Sequence, residues 1–169
     1  MLRLNIGSGQ RRFEEPWINI DCVVREGQVP DVVTRGEDLP YEDGSAQCIC
    51  LIQVLEHYGC GEAKGLIQEC HRVLCEGGSL IVSVPDMRAI ASRWLAHQID
   101  DFIFFVNTYG AYQGEETDRH KWGYTHQTLY SEIRDSAEWK SVDFLPSDRI
   151  PPGADIPFDW WIINYEVIK

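Results

Sequence analysis

Leu2-Arg3-Leu4-Asn5-Ile6-Gly7-Ser8-Gly9, followed after a short gap by Trp17-Ile18-Asn19-Ile20-Asp21, is the stretch that decides the fold. It reads as an apolar strand, a glycine-bearing turn and a second strand ending on a carboxylate. Glycine lets the backbone approach a ligand with no Cβ in the way, and an acid at the tip of the next strand can accept hydrogen bonds from vicinal ribose hydroxyls. The two features together predict a nucleoside-containing ligand at the C-terminal edge of a parallel sheet. Only ten residues, Gly7 to Pro16, separate the strands, and a parallel crossover normally takes a dozen or more. The first connecting helix must therefore shrink to about a turn or vanish.

Outward from that stretch, short apolar runs at residues 31–34, 47–53 and 79–84 alternate with amphipathic segments, which predicts strands joined through helices into an α/β sandwich with a mostly parallel sheet. The clearest helix covers residues 62–75, where Ala63, Leu66, Ile67, Cys70, Val73 and Leu74 make one apolar stripe, and Gly77-Gly78 is read as its stop. Residues 86–97 have helical periodicity, residues 99–106 are apolar and aromatic, and residues 110–124 are polar with interleaved aromatics. Residues 86–125 are thus expected to form a lid on the substrate side. A helix at 127–135, a strand at 142–145, a proline-rich loop and a last strand at 160–168 complete the chain. The last two strands have no helix between them, so they must run antiparallel or nearly so.

At 169 residues with 44% apolar content, the chain is long enough for one sizeable core and short for two domains. It has no membrane-length apolar run and no signal-peptide layout at its amino terminus, so a cytoplasmic location is expected. A net charge of -12, with 15 basic residues scattered among the acids, argues against a nucleic-acid substrate. Six cysteines include no Cys-x-x-Cys spacing, and no metal is expected from them. Cys48 and Cys50 fall on one side of a strand, where a thiol packs as a small apolar group.

The glycine turn, the acid at Asp21, Leu39-Pro40-Tyr41-Glu42-Asp43-Gly44-Ser45, Val54-Leu55-Glu56-His57, Arg72-Val73-Leu74, Gly77-Gly78 and Val84-Pro85-Asp86 occur in an ordered series. In that order they resemble the class I S-adenosylmethionine-dependent methyltransferases, above all the small type 11-like members with a shortened front end. The resemblance covers residues 2–86 well and thins beyond. It implies a Rossmann-like three-layer sandwich, a seven-stranded sheet with an antiparallel last strand, and S-adenosylmethionine as cofactor.

Carried over residue by residue, the resemblance implies that Asn5, Gly7, Ser8 and Gly9 meet the amino acid part of the cofactor. Asp21 would take the ribose hydroxyls with Cys22 beside the adenine, and Glu37, Asp38 and Leu39 would flank the adenine. Gln53 and Val54 would lie beneath the cofactor, with His57 near the methyl donor. Departures from the family pattern are Asn5 in place of an acid, Arg11 in place of a third glycine and Arg35 in place of an adenine-side acid.

Methyl transfer from a sulfonium needs alignment and exclusion of water, and needs a base only for a weakly nucleophilic acceptor. Among five histidines, His57 and His120 are the candidate catalytic bases, His71 reads as a packing residue, and Glu56 or Asp86 could orient a histidine or an acceptor hydroxyl. The aromatics Phe102, Phe104, Phe105, Tyr109, Tyr112, Trp122 and Tyr124 either wall an acceptor pocket or form the core of the lid itself. The expected function is methyl transfer to a small-molecule or sugar-like acceptor. A catalytically silent cofactor-binding partner or regulatory subunit is the alternative. A nicotinamide oxidoreductase ranks last, because Asp21 comes only 14 residues after Gly7, against roughly 20 in that class.

Overall fold

In the computed structural model, which describes residues 1–112, 114–151 and 161–169, seven strands form one sheet. They are β1 (Leu2–Ile6), β2 (Trp17–Asp21), β3 (Val32–Val33), β4 (Ala46–Ile52), β5 (Leu74–Pro85), β6 (Ser141–Phe144) and β7 (Ile162–Ile168), and the helices are α1 (Ala63–Val73), α2 (Met87–Leu95), α3 (Asp101–Tyr109) and α4 (His126–Ser136). The order across the sheet is β3-β2-β1-β4-β5-β7-β6. Pairing from β3 to β5 is parallel, and β7 runs antiparallel to both β5 and β6. The chain moves outward from β1 to β3 and then returns to the other side of β1, so the strand order reverses between β1 and β4. A crevice opens at the C-terminal ends of the strands at such a reversal.

The first two strands have the bounds read from the sequence, and no helix occurs in residues 7–16. Side chains hold this short connection in place. Asn5 and Asn19 are register partners on β1 and β2, and Asn5 Nδ2 donates to Asn19 Oδ1 at 2.9 Å and to the Arg11 carbonyl at 2.7 Å. Asn19 in turn accepts from Phe13 N and donates to the Phe13 carbonyl. Buried amides thus satisfy the loop's backbone where a helix would have satisfied its own.

Most other boundaries shift by a residue or two, and β5 starts five residues early, at Leu74. The third strand is confined to Val32–Val33, although Asp31 N and Thr34 N still donate to the Asn19 and Asp21 carbonyls. Helix α1 ends at Val73, before Gly77-Gly78, and the chain passes directly into β5. Its last carbonyls are capped from the far end of the chain, where Lys169 Nζ donates to the carbonyls of His71 and Leu74, each at 2.7 Å. Gly78 serves close approach, since a Cβ there would stand 2.8 Å from the Cys75 carbonyl oxygen.

The core lies between the sheet and helices α1 and α4, centred on Leu4, Ile49, Leu51, Leu66, Ile67, Leu80, Val82, Leu129 and Ile163. A smaller cluster on the opposite side contains Phe13, Cys50, Ile52, Ile81 and Leu145, with Cys48 packed against it. All six cysteines are free thiols. No helix among the described residues is long and apolar enough to cross a membrane. Trp160, read as the start of the last strand, lies outside the described residues.

Candidate functional site

A cavity of about 1240 Å³ opens at the strand reversal, lined by the Gly7-Ser8-Gly9 turn, Asp21 and Cys22 at the tip of β2, Glu37, and Gln53 and Val54 beyond β4. Its far wall carries His57, Tyr58, Ala111, Thr117, Asp118, His120 and Lys121.

The turn is built for close approach. Gly7 has φ 66, and a Cβ placed on it would stand 2.6 Å from Val54 Cγ2. Asp21 fastens the turn to β2: its Oδ2 accepts from Gly9 N at 2.8 Å and its Oδ1 from Val23 N at 2.9 Å. A carboxylate offers about four acceptor positions, so each oxygen keeps capacity for a further donor. Gln53 has φ 58 without being glycine, a conformation that costs on the order of 1 kcal/mol or more and collects at ligand sites. Its buried Nε2 has no hydrogen-bond partner, and neither do Ser8 Oγ and Glu37 Oε2. Three cavity-lining residues thus carry buried polar atoms that the protein itself leaves unsatisfied.

Of the residues expected to hold a cofactor, Gly7, Ser8, Gly9, Asp21, Cys22, Glu37, Gln53, Val54 and His57 line this cavity, whereas Asn5, Asp38 and Leu39 do not. Asn5 is taken up by the Asn19 bridge and serves the loop rather than a ligand. Asp38 is exposed, and the apolar side chain of Leu39 turns into the core, with its N–H donating to Glu69 Oε1.

Both candidate bases reach the cavity. Their rings meet edge to face with centroids 4.9 Å apart, His57 Nδ1 lying 3.2 Å from the Arg119 carbonyl and His120 Nδ1 2.8 Å from the Asn107 carbonyl. A carbonyl only accepts, so Nδ1 carries the proton and Nε2 the lone pair in each ring. Burial, and then the neighbouring His120, push His57 down to about 4. Burial lowers His120 as well. Both imidazoles are therefore neutral at pH 7.

Glu56, a candidate to orient a histidine or an acceptor hydroxyl, lies in the interior. It is 1% exposed, and burial pushes its carboxyl up to about 8. Its backbone carbonyl accepts from Lys121 N and Trp122 N, which ties the segment after α3 to the end of β4. Asp86 instead caps α2 by accepting from Arg88 N and Ala89 N, and His71 packs on Trp139 while bonding the Glu138 carbonyl. None of the seven aromatics considered for an acceptor pocket lines the cavity. Phe104 stacks on Trp94 and meets Phe105 edge to face, and Tyr124 is fully buried in the main core. Sequence spacing assigns no site role to Arg12, Asn19, Asp31 or Arg25. Arg12 and Asp31 pair at 2.6 Å beside Asn19, and Arg25 pairs with Asp118 across the cavity mouth.

Comparison with known proteins agrees with this architecture. Residues 15–82 match the methyltransferase domain family. An uncharacterized protein of Methanocaldococcus jannaschii is 30% identical over 92 residues, a match that takes in 49% of this chain and 44% of that protein. The matched part is thus less than half of the relative's length. Among solved structures, a SAM-dependent methyltransferase from Archaeoglobus fulgidus superposes with a TM-score of 0.64 at 13% identity, covering 99% of this chain and 85% of that one. A SAM-dependent methyltransferase from Thermotoga maritima gives 0.60 at 16% identity, covering 99% and 82%. The 1,6-didemethyltoxoflavin-N1-methyltransferase of Burkholderia thailandensis, solved with 1,6-didemethyltoxoflavin and S-adenosylhomocysteine, gives 0.59 at 13% identity, covering 99% and 70%. At these identities the structural likeness is one of fold. Residues 15–82 thus resemble a methyltransferase domain, and the sheet has the Rossmann-like fold of the SAM-dependent methyltransferases of known structure.

Proposed function

We propose that the cavity holds S-adenosylmethionine and that the protein transfers its methyl group to a small-molecule or sugar-like acceptor. The observation that carries this reading is Asp21, whose carboxylate is fixed by two backbone N–H groups and opens onto the same cavity as the Gly7 turn. The residues fit the cofactor chemically. Asp21 has acceptor capacity left for a ribose diol, Cys22 and Glu37 flank an adenine, and Ser8 Oγ and Gln53 Nε2 are free to bind the amino acid end. Gly7 and Val54 let the turn lie flat against the ligand.

The cofactor supplies an already activated methyl group, so the chain's task is alignment and exclusion of water. Residues 86–125 act as the lid, with residues 117–121 on the acceptor side of the cavity. His57 and His120 present neutral Nε2 atoms that accept a hydrogen bond from an acceptor hydroxyl and orient its lone pair along the transfer axis. With basicity lowered by burial, they hold the proton less well than an ordinary imidazole, so their contribution is positioning more than proton abstraction.

Calorimetry with S-adenosylhomocysteine tests the cofactor, and transfer of labelled methyl to a panel of small hydroxyl and amine compounds tests the reaction. Binding is expected in the micromolar range, and no heat at millimolar ligand overturns the reading. The silent-subunit reading draws on Arg11 and Arg35, which line the cavity where relatives carry a glycine and an acid. Methyl turnover on any acceptor removes it.

A further inference from the structure

Glu56, His57 and His120 form a cluster that alignment of a methyl donor does not call for. Each offers one ligand atom, and the three atoms lie within 4.8 Å of one another. Neither Glu56 carboxylate oxygen has a hydrogen-bond partner, although the residue is 1% exposed. A carboxyl group buried with both oxygens unpartnered is an unfavourable arrangement that a bound ligand relieves. The two imidazoles are oriented as metal-binding histidines usually are, with Nδ1–H engaged by a backbone carbonyl and Nε2 left free.

We propose that Glu56, His57 and His120 bind a divalent first-row transition-metal ion, through one carboxylate oxygen and the two Nε2 atoms. Two imidazoles and a carboxylate suit zinc, iron or cobalt, whereas magnesium and calcium prefer oxygen ligands. A bound ion would satisfy the orphaned carboxylate with a charge of opposite sign. Glu56 does not border the cavity, whereas His57 and His120 do. Protein ligands thus occupy the inner side, and the remaining coordination positions face the cavity, where an oxygen of the methyl acceptor can enter. With the ion bound, both Nε2 lone pairs are taken up by it, so the ion replaces the direct hydrogen bonds from the acceptor hydroxyl to the imidazoles. That role rests on the methyl-transfer reading, but binding of the ion does not.

Cobalt(II) titrated into the full chain, followed by visible absorption and calorimetry with zinc as competitor, tests the site. One ion per chain is expected, with a d–d spectrum free of thiolate charge-transfer bands. Glu56→Gln and His120→Gln should each weaken binding at least tenfold, since even loss of an outer hydrogen bond to a metal ligand costs 10–100-fold. Circular dichroism checks that the variants fold. If neither variant folds, the wild-type spectrum decides alone. Absence of saturable uptake, unchanged affinity in folded variants, or thiolate bands assigning the ion to the exposed thiols Cys22 and Cys60 would each overturn the proposal. S-adenosylhomocysteine binding by the same wild-type sample separates failure of the metal site from failure of the methyl-transfer reading.

Discussion

The two walls of the cavity are built by different means. On the strand-tip wall, the Gly7 turn and Asp21 continue directly from parallel ladders, and the loop between β1 and β2 is stitched by Asn5, Asn19, Asp31 and Arg12. On the opposite wall, α2 and α3 pack chiefly on each other, and α3 has no fully buried side chain. That wall reaches the sheet through Tyr124, buried in the main core, and through a few polar links: the Glu56 carbonyl to Lys121 and Trp122, the Asp86–Tyr124 bridge and the Arg25–Asp118 ion pair. The strand-tip wall gains its precision from the core behind it. The other wall is less tied to the core, so under the proposed methyl-transfer reading it is where acceptor choice varies with least effect on the sheet.

The sharpest way to break this contrast is Asp21→Ala. It removes the proposed ribose acceptor and also frees Gly9 N, so S-adenosylhomocysteine affinity should fall about 100-fold, roughly 3 kcal/mol, by calorimetry, with the sheet intact. Cofactor affinity within a few fold of wild type would mean that Asp21 serves the turn alone. Gly7→Ala comes next. The added Cβ meets Val54 Cγ2 at 2.6 Å in a backbone conformation of φ 66, which should cost about 2 kcal/mol in urea unfolding. Val54→Ala in the same chain should restore part of that loss, because it removes the clash but leaves the backbone strain.

The same contrast governs what the sequence discloses. Alternating apolar residues around Asn5 and Asn19 define β1 and β2 to the residue, because strand period and turn chemistry are local. The glycines and Asp21 are legible for the same reason. The resemblance puts Asn5 against the ligand, because spacing does not say whether a buried amide faces a cavity or a neighbouring strand. Its true partner, Asn19, is itself an amide in an apolar strand, a signal that the loop's support is polar. Motif order puts Leu39 beside the adenine, yet its apolar side chain follows the core. Glu56 and His120 meet only through tertiary folding, so cysteine spacing could not reveal their cluster, and an acid inside Val54-Leu55-Glu56-His57 gives no local indication that its carboxylate is buried. The cap on α1 is hidden for the same reason, since it comes from Lys169.

Arg25→Gln probes the weaker wall. Its partner Asp118 belongs to the segment that borders the cavity, and both side chains are largely shielded. Losing the pair should cost about 1 kcal/mol of local stability. Amide hydrogen exchange across residues 116–121 should then speed up about fivefold, while amides of β1 and β4 keep their wild-type rates. Equal acceleration in both walls would show that they open as one unit and would erase the distinction drawn between them.

The smallest expected effect sharpens the description of the strand-tip wall. The Asn19 N–H donates to Asp31 Oδ2 at 2.7 Å, and this bond, helped by Arg12 and the Asn19 amide, holds the Asp31 carboxyl below its ordinary value of 3.8. A carboxyl depressed in the folded state contributes stability that is present above about pH 4 and lost as pH falls through the lower folded value. Asp31→Asn should therefore flatten the acid limb of the stability curve below pH 4, and lower stability slightly at pH 7. The change is small because the group lies close to solvent, where screening weakens each charge-assisted bond. Midpoints of urea unfolding between pH 2.5 and 7 measure it. Parallel curves for variant and wild type would mean that Asp31 is as free in the fold as in the unfolded chain, and the stitching of the first loop would then rest on Asn5 and Asn19 alone.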